Sequence, residues 1–489
     1  MNLAAQVILV RYLSKAGYGA FAYGLSIALV GQAIASFGLD RAISLFAPVY
    51  HERRDFPKLF GTIALVVGTI LGVGLAVVAV VYVLHAVAGG SVTKDPQAAS
   101  LLLVLILLAP VQALDATFSG LYAVFGSARA IFLRTYVLAP LLRIAVVGLL
   151  VLTGSSATFL AAGYVAAAVV GVAVYVPLLR QLVSEAAAHG ASVRDIEVPG
   201  REILSLTTPL LTTSLVWVAI ASTDAILLEW FRGTTEVGAF RAIQPAAELN
   251  LFVILAFTPL FAPLAARLFA RENRVALNDL YWQTAAWIAA LSFPILVVTA
   301  LFAEPVTTTL YGSRYSESAA YLAILAVGYY VQSALGFNGI TLSVFRAVRY
   351  IVPLNVLAVL VNLGVNLALI PRYGALGAAI GTCATLLAHN LLKQAALRRT
   401  TGLAFFDARY GAVYALIGLG FAGVLVWTRL VTSELALQLP VAAAVCAAVV
   451  GLSLRRLAVF DTFPEAARLL GPARALFGGA NPSPGRRAE

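Results

Sequence analysis

The chain has 489 residues, 61% of them hydrophobic and 11% charged, with a mean hydropathy of +0.93. A soluble domain is about a quarter charged, so this composition excludes a water-soluble enzyme and leaves a multi-pass membrane protein. The net charge of +11 has the sign expected of basic cytoplasmic loops, which explains it more simply than nucleic-acid binding.

Apolar blocks of about 20 residues or more suit helices crossing a hydrocarbon core of about 30 Å. Runs such as Leu101–Leu108 do not alternate as barrel strands must, so an all-α fold is expected. In chain order the expected spans are Met1–Leu13, Tyr18–Gly38, Phe60–Ala86, Ser100–Val124, Thr135–Leu152, Thr158–Leu179 and Leu204–Phe231. They continue as Phe240–Leu268, Ala285–Phe302, Ala319–Leu342, Ile351–Ile370, Gly374–Leu392, Gly411–Val431 and Leu435–Leu454, about fourteen in all. The first is short: thirteen residues of helix cover roughly 20 Å, less than the bilayer core, so it reads either as truncated at its start or as a short helix held by its neighbours.

Lys and Arg set the orientation. With the His51–Arg54 loop inside, the inner loops and tail hold 24 of the 33 Lys and Arg, the outer loops hold 7, and Arg143 and Arg241 lie within spans. Both termini then fall in the cytoplasm. The outer loops, Gly89–Ala99 and Ala303–Ser318 being the longest, are too short to house a further domain. The expected layout is an N-lobe over 1–185, an inter-lobe linker over 186–203 marked by Pro199-Gly200, a C-lobe over 204–400, two further spans over 401–455, and a cytoplasmic tail over 456–489. The tail reads as a surface helix with a disordered end.

The two halves repeat. Gly19-Ala20-Phe21 and Gly238-Ala239-Phe240 open the second and eighth spans at an offset of 219 residues, which Phe118-Ser119-Gly120 and Phe337-Asn338-Gly339 share, while Pro140 and Pro353 stand 213 apart. Six spans is an even number, so the halves are parallel repeats about an axis along the membrane normal.

Charges inside this apolar frame are the candidate site, since ionisable groups in a bilayer are costly and turn toward a bundle interior or a wet cavity. Asp224, Arg241 and Glu248 stand in otherwise apolar surroundings, and Arg241, Gln244 and Glu248 share one helical face at i, i+3, i+7. Polar stripes recur at Gln32, Ser36 and Asp40, at Gln112, Asp115, Ser119 and Tyr122, at Asn355, Asn362 and Asn366, and at Thr382, Thr385, His389 and Lys393. Interhelical hydrogen bonding accounts for the Asn and Thr stripes as well as a cavity does. Arginine suits phosphate because its planar fork stays charged and bonds bidentately. Arg143 and Arg241, one per half, with Arg41, are therefore the candidate phosphate ligands. Asp224, Glu248, Asp115 and Asp40 are candidate cavity acids or sites for a coupling proton or sodium ion, and Gln112, Gln244 and Asn362 candidate polar lining. Arg143 neutralising Asp115 on a neighbouring helix is an equal alternative, and a buried structural ion pair is the plain alternative for the Asp224–Glu248 stretch. Cys383 and Cys446, with four histidines, build neither a disulfide framework nor a metal site. The chain lacks a glycine loop followed by Lys-Ser/Thr, so neither an ATPase site nor another cofactor is expected.

A family resemblance rests on Arg11-Tyr12-Leu13-x-x-x-Gly17-Tyr18-Gly19, Gly38-Leu39-Asp40, Val237-Gly238-Ala239-Phe240, Pro263, Phe293-Pro294, Leu310-Tyr311-Gly312-x-x-Tyr315 and Leu322-x-Ile324-Leu325-Ala326. Its most specific part is Asn362-x-x-x-Asn366-x-x-Leu369-Ile370-Pro371-x-Tyr373-Gly374-x-x-Gly377-Ala378-Ala379. Over about residues 8 to 400 the chain resembles the polysaccharide and O-antigen flippases (Wzx-like) of the multidrug/oligosaccharidyl-lipid/polysaccharide (MOP) superfamily. The resemblance implies fourteen helices in two lobes, a MATE-like fold and an inner-membrane location. It also implies outward flipping of a polyprenyl-pyrophosphate-linked oligosaccharide for lipopolysaccharide or another surface glycan, with a glycan polymerase and glycosyltransferases as pathway partners. Family cavities tend to be cationic, whereas the charges here are mixed. The alternatives are a cation-coupled multidrug exporter of MATE type and a membrane-embedded glycan polymerase or transferase. The second would need a sizeable outer loop, which the chain does not offer.

Overall fold

The computed structural model describes residues 3–87, 93, 95–125, 128–188, 196–345, 347–431 and 434–457. Among these the fold is all α-helix with short 3-10 and π turns and no strand. The expected tail beyond 457 and the middle of the 186–203 linker lie outside the described residues. In order the helices are α1 (Leu3–Tyr12), α2 (Lys15–Ser36), α3 (Asp40–Glu52), α4 (Phe56–Val87), α5 (Pro96–Leu105), α6 (Leu108–Phe125), α7 (Ala128–Phe132), α8 (Ala139–Thr153), α9 (Ala157–Ala173) and α10 (Val176–Ala188). There follow α11 (Gly200–Arg232), α12 (Thr234–Glu248), α13 (Phe252–Ala270), α14 (Arg274–Leu296), α15 (Ala303–Tyr311), α16 (Ser318–Ala334), α17 (Asn338–Val344), α18 (Val348–Thr401), α19 (Gly411–Val426) and α20 (Leu435–Arg456).

Eleven helical stretches among the described residues are long and apolar enough to cross a membrane, and Leu3–Tyr12 is a shorter apolar helix. One of the eleven, Tyr350–Thr401, carries two expected spans end to end. The chain turns between them at Gly374, whose φ of 56° and ψ of −133° interrupt the helix. α11, 33 residues long, holds the expected seventh span. These account for the fourteen spans read from the sequence.

The ends of the helices follow local chemistry. Ser14 caps α2 by accepting from the Gly17 amide at 3.0 Å, and Asp95 caps α5 in the same way, with Pro96 in the first turn, where a missing N–H costs nothing. Gly154 (φ 63°) and Gly233 (φ 88°) end α8 and α11 in conformations that a side chain resists. The expected outer loop 303–318 is itself ordered as α15 and a 3-10 turn, Ser313–Tyr315.

By their contacts the residues gather into two units. The first comprises Met1–Pro245, Thr308–Tyr321 and Asn355–Thr382, the second Ala246–Thr307, Leu322–Leu354 and the remainder from Cys383. One core of the first unit draws Ile43 and Phe46 of α3, with Leu39 just before it, against Leu59 and Ile70 of α4 and Leu121 of α6. That of the second surrounds Trp282 and Trp287 of α14 with Phe261, Phe337 and residues of α19 and α20 such as Val424 and Val449. The Phe261 and Phe337 rings stack at 4.4 Å.

The tightest crossing in the first unit joins the two repeats at their matching glycines. A Cβ on Gly19 of α2 would lie 1.8 Å from the Thr234 carbonyl and 2.7 Å from the Gly238 nitrogen. One on Gly238 of α12 would lie 2.1 Å from the Lys15 carbonyl. Each glycine meets the backbone four residues ahead of the other, the reciprocal pattern that a two-fold pseudo-axis between parallel repeats produces. Small residues let helix backbones approach closely in a membrane, where packing and hydrogen bonds replace the hydrophobic drive. Gly238→Ala is therefore expected to lower the melting temperature in detergent, at a cost of about 1–3 kcal/mol, while Gly72→Ala, where a Cβ meets nothing within 4 Å, should leave it unchanged. Equal melting of the two variants would show that the crossing is not tight.

Candidate functional site

A cavity of about 340 Å³ opens inside the first unit, walled by α2, α6, the π-helical turn Leu133–Leu138, α8 and α9. Its polar wall is Gln32, Gln112, Asp115, Arg134, Arg143 and Tyr164, set among Leu and Ala. The sequence-predicted Arg143, Asp115 and Gln112 thus face one space. Asp115 is the sole acid among the described residues of that wall, and it is ion-paired with Arg134. The Arg134 guanidinium also lies over the Tyr175 ring, 4.8 Å from its centroid, an arrangement favourable for a cation in a poorly hydrated site. Arg143 makes no hydrogen bond or ion pair with the described residues, so its donors point at the cavity unspent.

The direct ion-pair partner of Asp115 is thus Arg134, the residue that the sequence reading missed, while Arg143 acts on Asp115 through its charge without bonding to it. The expected span began at Thr135, which put Arg134 in an inner loop. The π-helical turn carries the helix back to Leu133, so Arg134 belongs to the membrane span Leu133–Thr153. The available signal was Pro140, which fits the first turn of α8 and so implies that helix preceding it would have to be irregular.

A second cluster lies in the same unit around Asp224 of α11, 3% exposed. Its carboxylate accepts from Asn366 Nδ2 at 2.6 Å and Thr382 Oγ1 at 2.8 Å, both on α18. Asn362, one turn before Asn366, also reaches it, and it feels the positive charge of Arg241. The Asn366 Oδ1 is buried with no hydrogen-bond partner among the described residues. Arg241 of α12 is already committed: it donates to Gln244 Oε1 at 2.8 Å, Ser26 Oγ at 3.0 Å and the Ala221 carbonyl at 2.7 Å. Its own carbonyl lost its helical donor to Pro245, four residues on. Buried Gln6 replaces that donor at 3.1 Å while also bonding the Tyr18 hydroxyl at 2.9 Å. Ser26, which holds Arg241, follows Leu25 of the cavity wall on α2.

The remaining candidates stand elsewhere. Glu248 ends α12 in the other unit, where the Tyr329 hydroxyl donates to it at 3.3 Å. Asp40 and Arg41 open α3, and their side chains lie outside the described residues. Among the described residues, no group of three or more His, Cys, Asp or Glu could hold a metal ion.

Four of the seven basic residues that the charge count puts outside are held at the helix ends of this unit. Arg11 donates to the Leu310 carbonyl at 2.8 Å and to that of Thr309, and Arg314 to the carbonyls of Val10 and Leu13, the latter at 2.6 Å. Lys15 pairs with Glu317 and lies over the Tyr315 ring. Arg232 donates to the carbonyls of Ile370 at 3.4 Å and Arg372 at 2.6 Å, beside the turn at Gly374, where Glu236 accepts from the Ala375 amide at 2.7 Å. Helix ends from both repeats are thus locked together on one side.

A buried carboxylate that loses a donor retains its desolvation cost. Asn366→Ala should therefore cost about 1–3 kcal/mol of stability, read as a lower melting temperature, and Asp224→Leu combined with it should recover much of that. A double variant no more stable than Asn366→Ala would contradict this.

Comparison with curated protein sequences gives no match. Solved structures share the fold. The lipid II flippase MurJ in an inward closed conformation superposes with a TM-score of 0.70 at 15% identity, covering 93% of this chain and 96% of that one. An inward-facing multidrug resistance MATE family transporter of the MOP superfamily gives 0.63 at 16% identity, covering 82% and 95%. A Vibrio cholerae MATE transporter gives 0.53 at 17%, covering 81% and 94%. These likenesses establish the fold, which this chain shares with the three structures. The family model described as "Polysaccharide biosynthesis protein" matches residues 1–269, more than half of the 489 residues, and the chain belongs to that family.

Proposed function

We propose that this protein flips a polyprenyl-pyrophosphate-linked oligosaccharide from the inner to the outer face of the cytoplasmic membrane, both termini lying inside. The observation that carries the reading is the cavity within the span region, with Arg143 unspent on its wall. An unpaired guanidinium inside a membrane is costly, and keeping one is explained by an anionic ligand that completes it. The head group enters the cavity while the lipid tail stays in the bilayer, and the lock at the outer helix ends keeps that side closed during loading. Release of the lock, with rocking of the N-lobe against the C-lobe, then opens the outer side. The fold shared with MurJ, titled a lipid II flippase, supports a lipid-linked cargo. Glycosyltransferases and a glycan polymerase of the same pathway would supply and consume it.

Arg241 contributes from behind the wall. Its Nη1 and Nη2 donors are occupied and its Nε is buried, so it raises the positive potential near the head group rather than binding it directly. The Asp224 cluster suits coupling: one carboxylate with amide and hydroxyl oxygens around it can hold a proton or a sodium ion, and the buried Asn366 Oδ1 would gain a partner from a cation. An ion gradient or the membrane potential, worth about 2.3 kcal/mol per charge per 100 mV, would then drive flipping.

The drug-exporter alternative draws on the likeness to MATE transporters and on Asp115 in the wall. The wall carries two arginines against one acid, which disfavours a cationic drug. Purified protein in proteoliposomes should flip a fluorescent polyprenyl-pyrophosphate oligosaccharide. Arg143→Gln should slow that flipping about 10- to 100-fold, the loss of one charge-assisted hydrogen bond set, with unchanged melting. Asp224→Asn should remove the dependence on a sodium or proton gradient. Undiminished flipping by Arg143→Gln, or tolerance to cationic drugs in place of flipping, would contradict the reading.

A further inference from the structure

We propose that Asp115 is an internal stand-in for the anionic head of the substrate. It neutralises Arg134 while the cavity is empty, and yields Arg134 to the pyrophosphate when the head group enters. The inference rests on the lipid-pyrophosphate reading of the cavity and adds to it a second ligand and the exchange that exposes it.

The charge balance of the wall requires such an exchange. Two guanidiniums and one carboxylate face the cavity, so an empty wall carries one net positive charge. A pyrophosphate diester brings two negative charges, and two guanidiniums match it only when Asp115 is no longer bonded to one of them. A carboxylate left against the incoming phosphates would repel them. Arg134 and Arg143, both within the span Leu133–Thr153, would then face the same ligand with their forks.

The surroundings let the pair part without losing the arginine. Arg134 also lies over the Tyr175 ring, 4.8 Å from its centroid, a second partner that it keeps when Asp115 turns away. The Asp115 side chain is 33% exposed against 11% for Arg134, so the acid has solvent to turn toward while the base stays anchored. Arg134 also sits on a π-helical turn, Leu133–Leu138, the kind of local widening frequent at functional sites. Gly171 leaves one flank of the pair open: a Cβ there would already come within 3.9 Å of Arg134 Nη2 and 4.0 Å of Asp115 Oδ1.

A merely structural counter-ion and a stand-in differ in what their removal does to affinity. Binding of inorganic pyrophosphate to the purified full-length protein, and of polyprenyl pyrophosphate to the protein in nanodiscs, separates them. Asp115→Asn should tighten both about tenfold and slow flipping in proteoliposomes, because release requires Asp115 to reclaim Arg134. Arg134→Gln should weaken both, and in its background Asp115→Asn should no longer tighten binding. Asp115→Ser takes the place of the amide variant if the latter is lost from the membrane. Unchanged or weaker pyrophosphate binding by folded Asp115→Asn, beside a wild type that binds and flips, overturns the stand-in and leaves the flippase reading intact. A wild type that binds neither pyrophosphate nor the lipid overturns both.

Discussion

The structure depends on one constraint: inside a membrane every charged or polar group must be answered by the protein itself, because the lipid offers no partner. The first unit meets it three times over. Arg134 is answered by Asp115 and a tyrosine ring, Asp224 by Asn366 and Thr382, and Arg241 by Ser26, Gln244 and a carbonyl. Against that background Arg143, which bonds to none of the described residues and meets Asp115 only through its charge, gives the cavity wall its chemistry. Even the carbonyl freed by Pro245 is supplied with a donor by Gln6.

The same economy joins the two repeats. Gly19 and Gly238 bring α2 and α12 to backbone contact, and from there Lys15, Thr234 and Glu236 reach partners at neighbouring helix ends: Glu317, Asp95 and the Ala375 amide. Many of the acceptors are backbone carbonyls, which makes the lock geometric rather than a matter of paired charges alone. Such a set of contacts can be made or lost together as helix ends move.

Much of this was legible in the sequence because the signals were strong and local. Span length, the basic bias and the offset of 219 residues between the Gly-Ala-Phe repeats each reflect a rule that acts residue by residue, and the fourteen spans follow from them. The family motifs were legible as patterns but not as contacts. Arg11-Tyr12-Leu13 and Leu310-Tyr311-Gly312 prove to be bonded to each other through Arg11 and Arg314, a pairing 299 residues apart that no single sequence reveals. Arg134 escaped notice because a π-helical turn shifts the helix start by two residues. Arg241 and Glu248, read as one helical face, lie in different units because α12 passes from one to the other.

The central claim is that the wall holding Arg134 and Arg143 receives a pyrophosphate. A structure of the protein determined with polyprenyl pyrophosphate bound tests it most directly. The account predicts both phosphates within hydrogen-bond reach of the two guanidiniums, with Asp115 turned away. Phosphates seated away from that wall, or Asp115 still bonded to Arg134 beneath a bound ligand, would contradict it.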